Sequence, residues 1–368
     1  MKVVFSKNGQ VSLLCIFMVT GVSMGVSAGK TFNHPGCLES RAELDFVKDR
    51  IKKQKQPWKD AFESLRASRL ATLHYSPTPF GNVHRGDRGT GSSGASEMMR
   101  DAQAAYAHAL VFVLADEKAH AEKSIEILNA WSGKLESITG ADAKLLGAKA
   151  FFKFVNAAEL IRYSDAGWEK GDRERFENLL RDVFFPLLKE YREYGSGGNW
   201  DAIIASAHVA MGVFLNDKKI FNHGIRHYKS GDGHGSLEGY VNRDGTTQET
   251  SRDQAHEQMG IGGLADAAEI AWHQGIDLYS RRSHRLLVGA EGVASRVLKN
   301  RRGTKKKDGE ALDIWERIYN HYHNREGEKM PRTERLLKGL GYRPEEYGFW
   351  SIGFGTLTHC GVGDGKKK

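Results

Sequence analysis

Apolar residues recur at three- and four-residue spacings along almost the whole chain beyond its N-terminal run, and the two-residue alternation of strands is scarce. The spacing predicts helices over Leu38–Lys55, Trp58–Leu73, Ser96–Ala115, Lys118–Trp131, Ala141–Tyr163 and Asp172–Tyr194. Beyond a Gly-rich break it predicts Trp200–Leu215, Lys218–Tyr228, Arg252–Gln274, Ser283–Leu298, Glu310–Asn324 and Arg332–Leu340. About twelve helices on mostly short links read as stacked antiparallel hairpins. No fixed-period repeat is visible, so the expected all-α fold is a closed ring of hairpins, an incomplete (α/α) toroid, rather than a repeat array.

Three irregular stretches interrupt this pattern. His74–Ala95 is rich in Pro and Gly and contains a formal GxGxxG from Gly89 to Gly94, but no strand precedes it and no βαβ unit surrounds it, which argues against a nucleotide site. Gly195–Asn199 reads GSGGN directly ahead of Trp200. Ser230–Thr247 holds GDGHGS and an Asp244-Gly245 pair expected to turn a small β-hairpin. A toroid gathers such loops at helix ends, where its cleft opens.

The N-terminus follows another rule. Lys2 and Lys7 precede the apolar run Val11–Val26, which ends in Val26-Ser27-Ala28, so Met1–Ala28 is expected to be a removable signal peptide and residues 29–368 one domain, periplasmic or secreted. Removal takes two lysines and no acids, lowering the net charge from +8 to +6. That balance steers polyanions without choosing one, and the basic Arg301–Lys307 run and Lys366–Lys368 tail read as solvated loops. With Cys15 gone, Cys37 and Cys360 remain, either paired across the termini or as free buried thiols. Nothing suggests structural zinc, and His256-Glu257 lacks the second histidine of HExxH because position 260 is Gly.

Most of the chemistry gathers in Gln248–Tyr279. On one continuous helix Glu249, Arg252 and His256 would stack at i, i+3 and i+7, with Ile261, Leu264, Ala268 and Trp272 on the apolar side. One reading makes Glu249 and Arg252 an orienting pair for a proton-handling His256; the other makes all three a buried ionic network. Gly260 and Gly263 extend the charged stripe, so something must approach the helix there. Asn199 is either a helix N-cap or an amide that holds a carboxylate, and Trp200 a sugar platform or a core residue. Trp315, Ile318, Tyr319 and Tyr322 are expected on one helix face, with His321, His323 and Arg325 nearby.

Taken together, GSSGASEMMRDAQAAYAHAL (91–110), FVNAAELIRY (154–163), GNWD (198–201), ETSRDQAH (249–256), AWHQGIDLY (271–279) and WERIYNHY (315–322) resemble the bacterial alginate lyase superfamily. The resemblance is strongest to its secreted (α/α)-toroid polysaccharide lyases near alginate and glucuronan lyases. It implies a cleft for an anionic polysaccharide and β-elimination at a uronic acid with no metal or other cofactor. It implies further that Asn199 neutralises the substrate carboxylate, that Glu249 and Arg252 sit beside it, and that His256 with Tyr319 or Tyr322 supplies base and acid. Trp200, Arg88, His208, Gln254, His321 and Arg325 are the expected substrate contacts. Neither nucleic acid nor, once the signal is removed, membrane is an expected partner. The stretch Gly289–Leu298 departs from the family, which often carries aromatic residues there, and so does the basic insertion at 299–307. Two other classes remain open: a glycoside hydrolase pairing Glu249 with Asp201 or Asp253, and a non-catalytic polysaccharide-binding protein.

Overall fold

The computed structural model of the chain describes residues 32–87, 90–191, 198–300, 311–340 and 352–362. The expected signal peptide and Arg88 lie outside the described residues. Four long helices form the inner wall: α3 (Ala95–Ala115), α5 (Ala143–Arg162), α8 (Gly198–Phe214) and α11 (Gln254–His273). They are apolar nearly all round and buried along most of their length, as helices covered on every side must be. Each packs on the next, α3 on α5, α5 on α8 and α8 on α11.

Amphipathic partners cover them from outside. These are α4 (Lys118–Ser132), α6 (Lys170–Leu179), α9 (Lys218–Ser230) and α12 (Arg281–Asn300). A π turn, Leu180–Phe184, carries α6 into the short α7 (Phe185–Leu188), so the helix predicted to reach Tyr194 stops earlier. In α12, Arg282, Ser283 and His284 hold left-handed φ values of 53°, 54° and 57°, and the regular helix begins after them. The ring is completed by α1 (Arg41–Lys52), α2 (Trp58–Ala67), α13 (Trp315–Tyr319), α14 (Pro331–Leu340) and α15 (Gly355–His359), with α13 against α11 and α15 against α13 and α1. The toroid is therefore as expected.

The minor β structure differs from expectation. The first irregular loop forms β1 (Asn82–His84), which pairs in parallel with β2 (Ser137–Thr139). Around Asp244-Gly245 the expected hairpin shrinks to one antiparallel bridge, Val241 to Thr247, because the short helix α10 (Leu237–Tyr240) takes up the chain that would have been its first strand.

The two ends of the ring differ. Residues 32–38 run across the C-terminal ends of the inner helices: Glu159 on α5 accepts from Gly36 N at 3.1 Å, and Asn33 donates to His273 O at 2.7 Å. Cys37 is buried with its thiol 3.8 Å from Ala210 O, and both cysteines are free thiols, so the termini are not joined by a disulfide. The opposite end presents four helix N-termini and the loops that precede them. Aligned peptide dipoles make such a face favourable for anions. Among the described residues no helix is long and apolar enough to cross a membrane.

Candidate active site

At the open end, the first turns of α8 and α11 lie side by side. Gly263 has no room for a side chain because Ala202 and Ile203 of α8 press against it at 2.8 Å from where a Cβ would stand; Gly260 is filled in the same way by the ring of Tyr240. What approaches the glycine stripe is thus the protein itself. Lower on the same faces, Ile203, Ser206, Met259 and Asp266 line a narrow axial cavity of about 20 Å³, with Lys149, Lys153 and Arg317 across from them. Asn199 and His256 sit one turn above Ile203 and Met259, at the mouth of that axis. Burial brings the Lys149 and Lys153 ammonium groups down to about 7.

Asn199 is the second residue of α8, and its side-chain amide caps no helix among the described residues. It is fully buried, yet both its Oδ1 and Nδ2 lack a hydrogen-bond partner among the described residues. An unpartnered buried amide costs roughly 1–3 kcal/mol per group, which makes Asn199 a candidate for meeting a ligand at this mouth. Trp200 beside it is half-buried. Gly198 N donates to Gln248 Oε1 at 3.2 Å, tying this helix start to the turn that leads into α11.

That turn corrects the expected helix. Residues 247–252 form successive turns, with Arg252 N donating to Glu249 O at 2.9 Å, and α11 starts only at Gln254. Asp253 caps it by accepting from His256 N at 2.9 Å, so Glu249 and Arg252 precede the helix instead of lining its face. They still pair, Arg252 Nη1 to Glu249 Oε2 at 3.5 Å, with Glu249 buried and the guanidinium half exposed. The group that orients His256 is a residue assigned no such part above: Asp253 Oδ2 lies 2.6 Å from His256 Nδ1. Burial works against the Asp253 charge, but the His256 amide and imidazole and Arg252 hold its carboxyl below the usual range. A carboxylate there keeps the imidazole proton on Nδ1 and leaves Nε2 as the acceptor. Gln254 is nearly buried, and its Oε1 has no hydrogen-bond partner among the described residues.

Other expected site residues are placed elsewhere. Tyr322 is buried and its hydroxyl donates to Tyr279 O at 2.8 Å, so it has no free hydroxyl to offer substrate. Tyr319 stacks on His323 and lines a separate surface cavity with Pro57, Glu334, Lys338 and Cys360. The two tyrosines do not share a face because the helix passes into a π turn at Asn320–Arg325, which changes the number of residues per turn. His321 is buried between Glu326 and the ring of Tyr279, and Arg325 pairs with Glu43 and with Glu269. Glu269 is thirteen residues along α11 from His256, roughly 20 Å at the helical rise, so this cluster belongs to the closed end.

His208 likewise faces outward to α9. Tyr191 Oη donates to its Nδ1 at 2.7 Å, and burial, with His223 and His227 nearby, brings its pKa down to about 3. Because the folded pKa lies below the unfolded value near 6.5, the neutral ring's stabilisation is complete above pH 6.5 and falls as acid is added towards the folded pKa. The stability advantage of the parent over a His208→Phe variant should shrink by about 1.4 kcal/mol per pH unit below 6.5. Thermal melts at pH 7 and 5.5 measure this, and a pH-independent difference would show that the ring is not held neutral.

Residues that no local signal marked also shape the mouth. Tyr240 donates to His256 O at 2.8 Å beneath the first turn of α11. Arg85, almost buried, lies 3.6 Å from Asp142 at the start of α5. Among the described residues one carboxylate–imidazole group has metal-ligand spacing, Glu43, Glu269 and His273, and it lies at the closed end with Arg325 neutralising its carboxylates.

A sequence model of the family described as "Alginate lyase" matches residues 48–302. Among solved structures, an alginate lyase from Bacteroides ovatus aligns with a TM-score of 0.63 at 12% identity, covering 87% of this chain and 98% of that one. A tyrosine-to-phenylalanine variant of alginate lyase A1-III complexed with tetrasaccharide aligns at 0.66 and 15% identity, covering 90% and 97%. Alginate lyase A1-III from Sphingomonas species A1 aligns at 0.58 and 16%, covering 79% and 90%. At these identities the likeness is one of fold. No curated protein sequence matches the chain.

Proposed function

The chain belongs to the alginate lyase family, and from that premise we propose that it cleaves a uronic-acid polymer by metal-independent β-elimination, with Asn199 neutralising the substrate carboxylate and His256 moving the proton. The observation that carries this reading is the buried Asn199 amide, without a hydrogen-bond partner among the described residues and set in the first turn of a long helix at the open end. A uronate C5 proton is poorly acidic while the adjacent carboxylate is charged. An amide N–H and the helix N-terminus would draw that charge off and stabilise the enolate-like intermediate.

His256 Nε2 then takes the C5 proton, while Asp253 steadies the imidazolium that forms. The C5–H electrons become the C4–C5 double bond and the C4–O4 bond breaks. On a uronate whose C5 proton and O4 lie on one face, the same Nε2 returns the proton to the leaving oxygen. This assignment needs neither Tyr319 nor Tyr322. Arg252 and Trp200 would meet neighbouring sugars. A sugar polymer as substrate is supported by the solved variants of alginate lyase A1-III, which are complexed with tetrasaccharide. The hydrolase alternative lacks its carboxylate pair, because Asp253 is committed to His256 and Asp201 is buried.

Incubation with polymannuronate, polyguluronate, glucuronan and glycosaminoglycans tests the proposal, read by the ultraviolet absorbance of the conjugated double bond. Activity is expected on a polymer containing mannuronate or glucuronate. Chain shortening with no new absorbance would mean hydrolysis, and activity confined to sulfated glycosaminoglycans would refute the substrate class.

A further inference from the structure

The stretch Gly289–Leu298 of α12 packs against the Val241–Gly245 loop that leads into the Glu249–Arg252 turn. Gly245, at the tip of the Asn242–Thr246 turn, lies against α12 so closely that a Cβ on Gly292 would stand 2.1 Å from Gly245 O. One turn further along α12, Arg296 reaches over the same loop. Its Nη2 donates to Gly245 O at 3.0 Å and to Glu257 Oε1 at 2.6 Å, and its Nε donates to Glu257 Oε2 at 3.0 Å. The pair is bidentate, and the Glu257 side chain is only 1% exposed.

Glu257 does more than pair. Its Oε1 also accepts from Thr250 Oγ1 at 2.6 Å and from Thr247 Oγ1 at 3.2 Å, the residues that flank Gln248-Glu249. Thr247 Oγ1 in turn accepts from Glu249 N at 3.3 Å. One buried carboxylate on the helix that carries His256 therefore grips both sides of the Glu249 turn, and one guanidinium from an outer helix holds that carboxylate and the neighbouring loop together. A bidentate arginine fork fixes orientation as well as distance, which a lysine point charge does not.

We propose that Arg296 and Glu257 are the positioning pair of the active site, setting the Glu249–Arg252 turn in register with His256 without touching substrate. The inference rests on the lyase reading for its catalytic consequence and on the hydrogen-bond network for its structural one. Shifting a positioned group by about 1 Å can cost on the order of 100-fold in rate. Here the shift would reach the reaction through Arg252 and Glu249.

The test uses Arg296→Lys, which keeps the charge and loses the fork, and Glu257→Gln, which keeps the acceptor oxygen for the threonines and loses the charge. Amide hydrogen exchange over residues 241–253 needs no substrate and should rise at least several-fold in Arg296→Lys, with exchange in α5 and α8 unchanged. On the uronan that the parent cleaves, kcat should fall about 10–100-fold. Placed in an Arg252→Ala background, Arg296→Lys should cost little further, because its effect passes through that turn. A purely structural pair would lower the melting temperature and leave kcat and this coupling untouched, which would overturn the proposal. Unchanged exchange at 241–253 would overturn it too. If the parent cleaves no uronan, the lyase reading fails, and the exchange result alone decides whether the pair positions the turn.

Discussion

Asn199→Ala should lower kcat by about 10²–10³-fold, the usual loss when one donor is removed from the site of developing negative charge. The same variant should melt at or slightly above the parent temperature. Both follow from one observation, that the Asn199 side chain is fully buried and has no hydrogen-bond partner among the described residues. A structural asparagine stabilises through the bonds it makes, and its loss strands a partner. Removing an amide that bonds to none of the described residues strands none of them and ends a desolvation cost of roughly 1–3 kcal/mol. Stability given up at a functional position is what a binding group without its ligand should show. Asn199→Asp makes the opposite electrostatic change, setting a carboxylate against the substrate carboxylate, and should be at least as inactive. The measurement pairs steady-state kinetics on the cleaved uronan with thermal melts. An alanine variant that kept its kcat while losing several degrees would make Asn199 a structural residue and remove the central support of the mechanism.

The ring of hairpins was legible because its inner helices are apolar on every side and its outer ones on a single stripe, a contrast that periodicity alone reports. Asn199 and His256 were legible as candidates, the first because it follows two glycines ahead of a predicted helix and the second because it continues the charged spacing that begins at Glu249 and Arg252. Three features were not. The Glu249–Arg252–His256 stripe looked continuous because a turn and a helix can carry the same charge spacing; only the cap at Asp253, with its φ of −170°, separates them. Tyr319 and Tyr322 were placed on one face by counting α-helical turns, and the π turn that separates them has no local spacing signal. Arg325 and His321 carry the same groups that a substrate site would use. The Arg325 partner Glu43 lies in the first helix and the His321 stacking partner Tyr279 lies beyond α11, and contacts across that much chain are invisible to a window of neighbouring residues.

That last case makes the second large effect. Arg325 joins α1 to α11 through Glu43 and Glu269, the latter at 2.8 Å, while His273 Nε2 lies 2.9 Å from Glu43 and Tyr279 Oη donates to Glu269 at 2.6 Å. All of these groups are buried, so Arg325→Ala leaves two carboxylates facing one imidazolium without water. Breaking such a pair from one side costs about 3–5 kcal/mol. With an unfolding entropy near 2.1 cal/mol/K per residue, that lowers the melting temperature by roughly 4–7 °C. His273 adds a pH signature. Burial would depress its pKa, but Glu43 and Glu269 raise it to about 9. Its contribution is complete below the unfolded value near 6.5 and is lost as pH rises through 9; because the Arg325 charge holds that pKa down, parent and Arg325→Ala variant should lose stability in parallel up to about pH 9, and the variant should lose further ground only above it. Converting both glutamates to glutamine in the Arg325→Ala background should return part of the loss, because neutral amides carry no uncompensated charge. Roughly 20 Å of helix separates this knot from His256, so the folded variant should cleave uronan with kcat and KM near those of the parent. A variant that melted like the parent but bound substrate poorly would return Arg325 to the cleft.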